Sequence, residues 1–170
     1  MNAMKVALIT TGLGLALGLS APANAIGRFI TSNAVDKCQA FTPGVRNTIR
    51  NRVAGAENIG PDPIAVACVF ELNEISGGGS VDVSNIQIYF LNGSAAATTV
   101  TCTKLTGSSA GSGAGLGGSQ TVTTPSIAAG ATSSVSFAAV GSVFAVGVNC
   151  TIPQNVTIAQ TRIEYTDAAP

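Results

Sequence analysis

Val81-Asp-Val-Ser-Asn-Ile-Gln-Ile-Tyr-Phe90 is the stretch that decides the fold. Val81 and Val83 alternate with polar residues, and then Ile86, Ile88 and Phe90 do so in the opposite parity. Alternation of period two marks a strand with one buried face, and a single change of parity predicts one extra residue, a bulge near Ser84-Asn85. Asn92-Gly93 follows as a turn.

The same period recurs on both sides of this strand. Upstream, Ile64, Val66, Cys68 and Phe70 share a face, and Ala65, Ala67 and Val69 lie opposite them, a pattern that predicts burial on both sides. Downstream, Thr98 to Leu105 places Val100 and Cys102 inward and Thr99, Thr101 and Thr103 outward. Residues 119 to 124 read as an edge strand ending before Pro125. Ala128-Ala-Gly-Ala131 is a turn into Ser133 to Val140, with Val135 and Phe137 inward. Val143 to Ile152 carries Phe144, Val146, Val148 and Cys150 on one face and is stopped by Pro153. Val156 to Thr166 completes the series, with Ala159, Ile163 and Tyr165 inward and Gln160, Arg162 and Glu164 outward. Between Val100 and Val122 runs a Gly/Ser/Ala-rich segment, residues 107–118, which predicts a flexible loop.

These runs make seven strands, or eight if residues 47 to 53 form another. No long amphipathic helix pattern separates them, which argues against a parallel sheet and for two antiparallel sheets packed face to face. The expected fold is all-β, an antiparallel β-sandwich. Pro125 to Phe137 resembles the turn-and-strand signature of bacterial immunoglobulin-like or fibronectin-like modules. That resemblance implies a sandwich of the same style. Tryptophan is absent, so the core residue of antibody-type domains has no counterpart.

Residues 1–25 have a different character. Lys5, the apolar run Val6 to Leu19 and Ala21-Pro-Ala-Asn-Ala25 match a signal peptide with its small-residue cleavage site. The run is shorter than the roughly 20 residues that span a bilayer, and Gly12, Gly14 and Gly18 interrupt it. Cleavage after Ala25 leaves one domain, 26–170, of about 145 residues. A bacterial source, a periplasmic or extracellular location and no transmembrane segment in the mature chain are the expectations. Without the leader the chain carries seven basic and eight acidic residues, and only 9% of the whole is charged. Nothing in that balance selects nucleic acid or an anionic membrane as partner.

Cys38, Cys68, Cys102 and Cys150 all follow the leader, and the chain has no histidine. In an oxidising compartment four such cysteines read as two disulfides. Three pairings are open. The inward positions of Cys102 and Cys150 favour Cys102 with Cys150 and Cys38 with Cys68. A metal site would need four dispersed thiolates without any Cys-x-x-Cys, so no metal and no cofactor are expected.

Missing histidine excludes a serine–histidine nucleophile. Lys37 and Lys104 are the lysines left for a serine–lysine dyad, and neither adjoins a sharp nucleophile turn. Glu71, Glu74 and Asp82 are the densest carboxylates and the ones a glycosidase would use. Gly113 to Gly118 spells G-x-G-x-x-G without a following helix pattern, so it carries no nucleotide reading. Asn92, Asn149 and Asn155 open glycosylation-type triplets, relevant only in a eukaryote. Arg46, Arg50 and Arg52 concentrate positive charge. On a strand they would form a cationic stripe for anionic glycan; the bland alternative pairs one of them with Glu57 or Asp62.

The sequence therefore predicts an exported, non-enzymatic β module, a binding or cell-envelope-associated protein of unknown ligand, with an envelope glycan or another protein as the candidate partners. A surface-fibre subunit, similar in composition to donor-strand pilins, and a secreted carboxylate-dependent hydrolase are the alternatives. Mass spectrometry of the exported protein should show a chain starting at Ile26 with no alkylatable thiol before reduction; four free thiols would remove the disulfide reading.

Overall fold

Among the described residues, eleven strands and one helical turn realise the alternation. The computed structural model describes residues 26–41, 48–72, 81–107, 116–143 and 145–167. In chain order the elements are β1 (Ile26–Asn33), α1 (Ala34–Lys37), β2 (Cys38–Ala40), β3 (Ile49–Arg52), β4 (Gly55–Asn58) and β5 (Ile64–Glu71). Then come β6 (Val81–Asn92), β7 (Thr101–Gly107), β8 (Leu116–Thr123), β9 (Thr132–Val143), β10 (Ala145–Ile152) and β11 (Val156–Asp167).

One sheet runs β3-β4-β11-β6-β9, with β1 also paired to β11; the other runs β2-β5-β10-β7-β8. Four antiparallel pairs nest inside one another: β7 with β8, β6 with β9, β5 with β10 and β4 with β11. The chain is thus a long hairpin with its tip at β7–β8, rolled so that successive pairs fall in alternate sheets. That order is a jelly roll. The expected sandwich stands, while its connectivity departs from the immunoglobulin or fibronectin style. Turn-and-strand chemistry such as that of Pro125 to Phe137 is local and says nothing about which distant strands become neighbours. The count exceeds eight because β1, β2 and β4 lie where no alternation announces them.

Phe90, Ile86 and Ile88 of β6, Phe137 and Val135 of β9, and Ile158 of β11 are buried in one core with Val66 of β5, Val146 and Val148 of β10, and Val100. Each such side chain contributes about 1.5–3 kcal/mol of burial. The predicted bulge is present, since pairing skips Ser84 between Val83 and Asn85 on both flanks of β6. A second bulge interrupts β11 between Ile158 and Gln160. Ala159, expected inward, is the bulged residue and is only half-buried, and the inward set continues at Thr161, Ile163 and Tyr165. The outer face of β5 is open: Ala65 and Ala67 are half-buried and Val69 is 51% exposed, so two-sided burial does not hold there. Nor is 107–118 all loop, because β7 reaches Gly107 and β8 starts at Leu116; residues 108–115 lie outside the described residues.

The bridges join Cys38 to Cys68 and Cys102 to Cys150. Both couple directly opposed residues of neighbouring strands within one sheet, β2 with β5 and β7 with β10, instead of tying sheet to sheet. With partners 30 and 48 positions apart in sequence, each bridge removes loop entropy from the unfolded chain, about 2–4 kcal/mol.

Two buried asparagines organise the connections. The amide nitrogen of Asn92 donates to the carbonyls of Ala96, Ile127 and Ala128 at 2.8, 2.9 and 3.2 Å, and its oxygen accepts from Ser94 N–H and hydroxyl. Asn58 donates to the carbonyls of Asp62 and Ile152 and accepts from Gly60 N–H. Gly55, at φ +132°, lies against the β11 bulge, and a Cβ there would fall 2.0 Å from the Ile158 carbonyl oxygen.

Gly55→Ala should therefore cost about 3 kcal/mol or more, combining backbone strain with a clash. Gly130→Ala, at φ +71° with nothing within 4 Å, should cost only about 1–2 kcal/mol. Asn92→Ala leaves several buried carbonyls without a donor and should cost about 2–4 kcal/mol. Urea midpoints of the three variants test the ranking.

Candidate functional site

β3 and β4 form a hairpin in which Arg50 stands opposite Glu57 and Arg52 opposite Gly55. The Arg52 guanidinium pairs with the Glu57 carboxylate. Arg50 is exposed, and Arg46 lies outside the described residues. One acidic side chain is thus set between the two described arginines, which cuts the positive charge this hairpin presents. The pairing with Glu57 that the sequence offered as the bland alternative is the arrangement found for Arg52.

The carboxylates are dispersed across the fold. Asp82 is exposed on β6, in register with Ser142 and Thr166, and it borders a shallow groove of about 310 Å³ with Val83, Ser84, Gly141 and Thr166. Glu71 belongs to β5 in the other sheet, and Glu74 lies outside the described residues. Among the described residues no group of three or more His, Cys, Asp or Glu is placed to hold a metal ion. Lys37 is exposed at the end of α1, whereas Lys104 is buried on the inner side of β7, opposite Val148 and Gln120. Of the G-x-G-x-x-G string, Leu116 to Gly118 belong to β8 and start no helix. Asn92, fully buried with its amide committed, is not available as a glycan acceptor.

The outer side of β7, β8 and β10 is neutral. Thr101 meets Thr123 and Thr103 meets Thr121 hydroxyl to hydroxyl at 2.9 Å, with Thr151 and Asn149 next to them in register. Against this background the large exposed apolar residues stand out: Phe29, Ile30, Phe41, Val53, Val69 and Leu105. Phe29, Ile30 and Phe41 belong to the N-terminal segment 26–41, and Val69 lies beside it on β5.

Phe41 is held by its main chain. Its N–H donates to the Ala65 carbonyl at 2.9 Å, extending the β2–β5 ladder that the Cys38–Cys68 bridge anchors. The ring, 69% exposed, borders a groove of about 300 Å³ with Lys37, Gln39, Ala40, Ala67 and Val69. An aromatic face, an aliphatic floor, an amide and an ammonium converge there. Sequence reading missed this site, although a phenylalanine three residues past a cysteine is a visible signal in a chain with only six phenylalanines and two tyrosines.

No protein family matches the chain, and no curated protein matches it. Among solved structures, the coat protein of tobacco streak virus is similar over 89% of this chain and 92% of its own, at 15% identity and a TM-score of 0.37.

Because Glu57 engages Arg52, the double variant Arg50→Ala/Arg52→Ala should be retained on anionic envelope polymer as well as the parent is. A loss of about tenfold or more in affinity would restore the cationic stripe as a binding site.

Proposed function

We propose that this chain is an exported, non-enzymatic β-sandwich module of a bacterial envelope that binds glycan through the Phe41 groove. The observation that carries the reading is the exposed Phe41 ring, fixed by the β2–β5 ladder beside Val69, Gln39 and Lys37. An aromatic face offers a sugar ring an apolar platform while neighbouring polar groups take its hydroxyls. Lys37 adds an attraction for anionic sugars. Export is supported by the leader-like residues 1–25 and by cysteines that are all paired.

The cationic stripe contributes less to this reading than the groove does, since Arg52 is engaged with Glu57.

Pelleting with purified, insoluble envelope polysaccharide tests the groove. Phe41→Ser should weaken retention by about tenfold or more, with both disulfides and the far-ultraviolet spectrum unchanged. Leu105→Ser, on β7 and 39% exposed, should retain parental binding. Equal retention of the Phe41 and Leu105 variants, or no retention of the parent, overturns the proposal.

A further inference from the structure

β1 pairs with β11 from Ile26 opposite Asp167 to Asn33 opposite Gln160, without a register shift. Among the described residues no strand pairs with its other side. Residues 27–31 are all exposed, with Phe29 at 63% on the outer face of the sheet and Ile30 at 36% on the inner. An open strand edge offers a row of unpaired N–H and C=O groups, and natural proteins blunt such edges with shortness, lysine, proline or a bulge.

The other lateral edges are blunted in those ways. β2 has three residues, and β3 has four with Arg50 and Arg52 among them. β8 pairs irregularly at Leu105/Thr106, and β9 does so at Val83/Asn85 and carries Gly141 at φ +82°. β1 alone among them has eight residues in unbroken register with no lysine or proline, its single charged side chain being Arg28.

We infer that β1 is a self-association edge, and that a second copy of this chain pairs its own β1 there, antiparallel about a two-fold axis at Phe29. In that register Phe29 lies opposite Phe29 of the second copy, an aromatic cross-strand pair. Arg28 falls opposite Ile30, so the two Arg28 side chains never face each other. The six-stranded sheets of the two copies become one continuous sheet, an isologous and closed arrangement. Without the leader, seven basic and eight acidic residues leave a net charge of about −1, too small to drive copies apart. Arg162 steadies the ring that forms the pair: its guanidinium sits 4.6 Å from the Phe29 centroid and is held by Glu164 at 2.9 Å. The inference does not depend on the glycan groove, which lies on the other sheet.

Sedimentation of the mature protein across a concentration series should show reversible monomer–dimer exchange. Phe29→Lys should raise the dissociation constant by about tenfold or more. Val53→Lys, at the 99% exposed tip of the β3–β4 hairpin, should leave it unchanged. Phe29→Cys should give a disulfide-linked dimer joined through position 29, and Val53→Cys should not. A monomer at every concentration, or a dimer indifferent to Phe29→Lys, overturns the inference. So does a Thr31→Cys/Arg162→Cys variant that cross-links between chains, which would mean that β1 is exchanged onto the β11 of another copy. Phe41→Ser is expected to leave dimerisation intact, so failure of the groove and failure of the edge are separable.

Discussion

Everything in the first sheet depends on the pairing of β11. Along one side it pairs with β6 for most of its length; along the other it takes β4 at residues 157–158 and β1 at residues 160–167. The bulge at Ala159 separates these two partners. It turns the strand, resets which side chains face the core and brings the β11 backbone so close to β4 that only glycine fits at position 55. One extra residue thus explains the parity change in β11, the left-handed Gly55 and the division of one strand side between two neighbours.

The second sheet is organised differently. β10 lies at its centre between β5 and β7, and its inward residues Val146, Val148, Cys150 and Ile152 are all buried. Covalent bonds reinforce two of the ladders here, the long β7–β10 pair and the short β2–β5 pair. β2, three residues long, would be a weak edge by backbone bonds alone; the Cys38–Cys68 bridge fixes it, and with it the Phe41 groove. Lacking such a bond, the first sheet holds its N-terminal strand by backbone pairing, by the stacking of Phe29 under Arg162 and by side-chain hydrogen bonds such as that from Asn33 to the Val53 carbonyl.

How much of this was legible in the sequence follows from where one face is buried and the other wet. β5, β6, β9 and β10 announce themselves by alternation, and the Ser84 bulge by its change of parity. Inward positions favour the Cys102–Cys150 bridge, and Cys38–Cys68 is the pair that remains. β1 and β4 were not legible, because Phe29 and Ile30 are adjacent apolar residues on opposite, exposed faces, and Gly55-Ala-Glu-Asn58 has little strand propensity of its own. Those segments are strands because an existing edge templates them. Strand order was equally hidden, since Glu57 meets Thr157 across the whole length of the chain and no local pattern encodes that meeting. The site was half legible: the arginines were visible as charge and Glu57 as one of two candidate partners, but the choice of Arg52 for that pairing and the exposed ring of Phe41 depend on neighbours that only the fold supplies.

The position of β11 also fixes a sequence of events. Residues 156–167 form the last described strand of the chain and an interior strand of the first sheet. A chain made N-terminus first therefore presents β1, β4 and β6 before their common neighbour exists, and until then β6 has only β9 and β4 only β3 to pair with in that sheet. The local β7–β8 hairpin is available early, while closure of the roll waits on long-range pairing of the kind that makes sandwiches slow to fold. Until residues 156–167 are present, the first sheet stays in three pieces, β1, the β3–β4 hairpin and the β6–β9 pair, with no strand to join them.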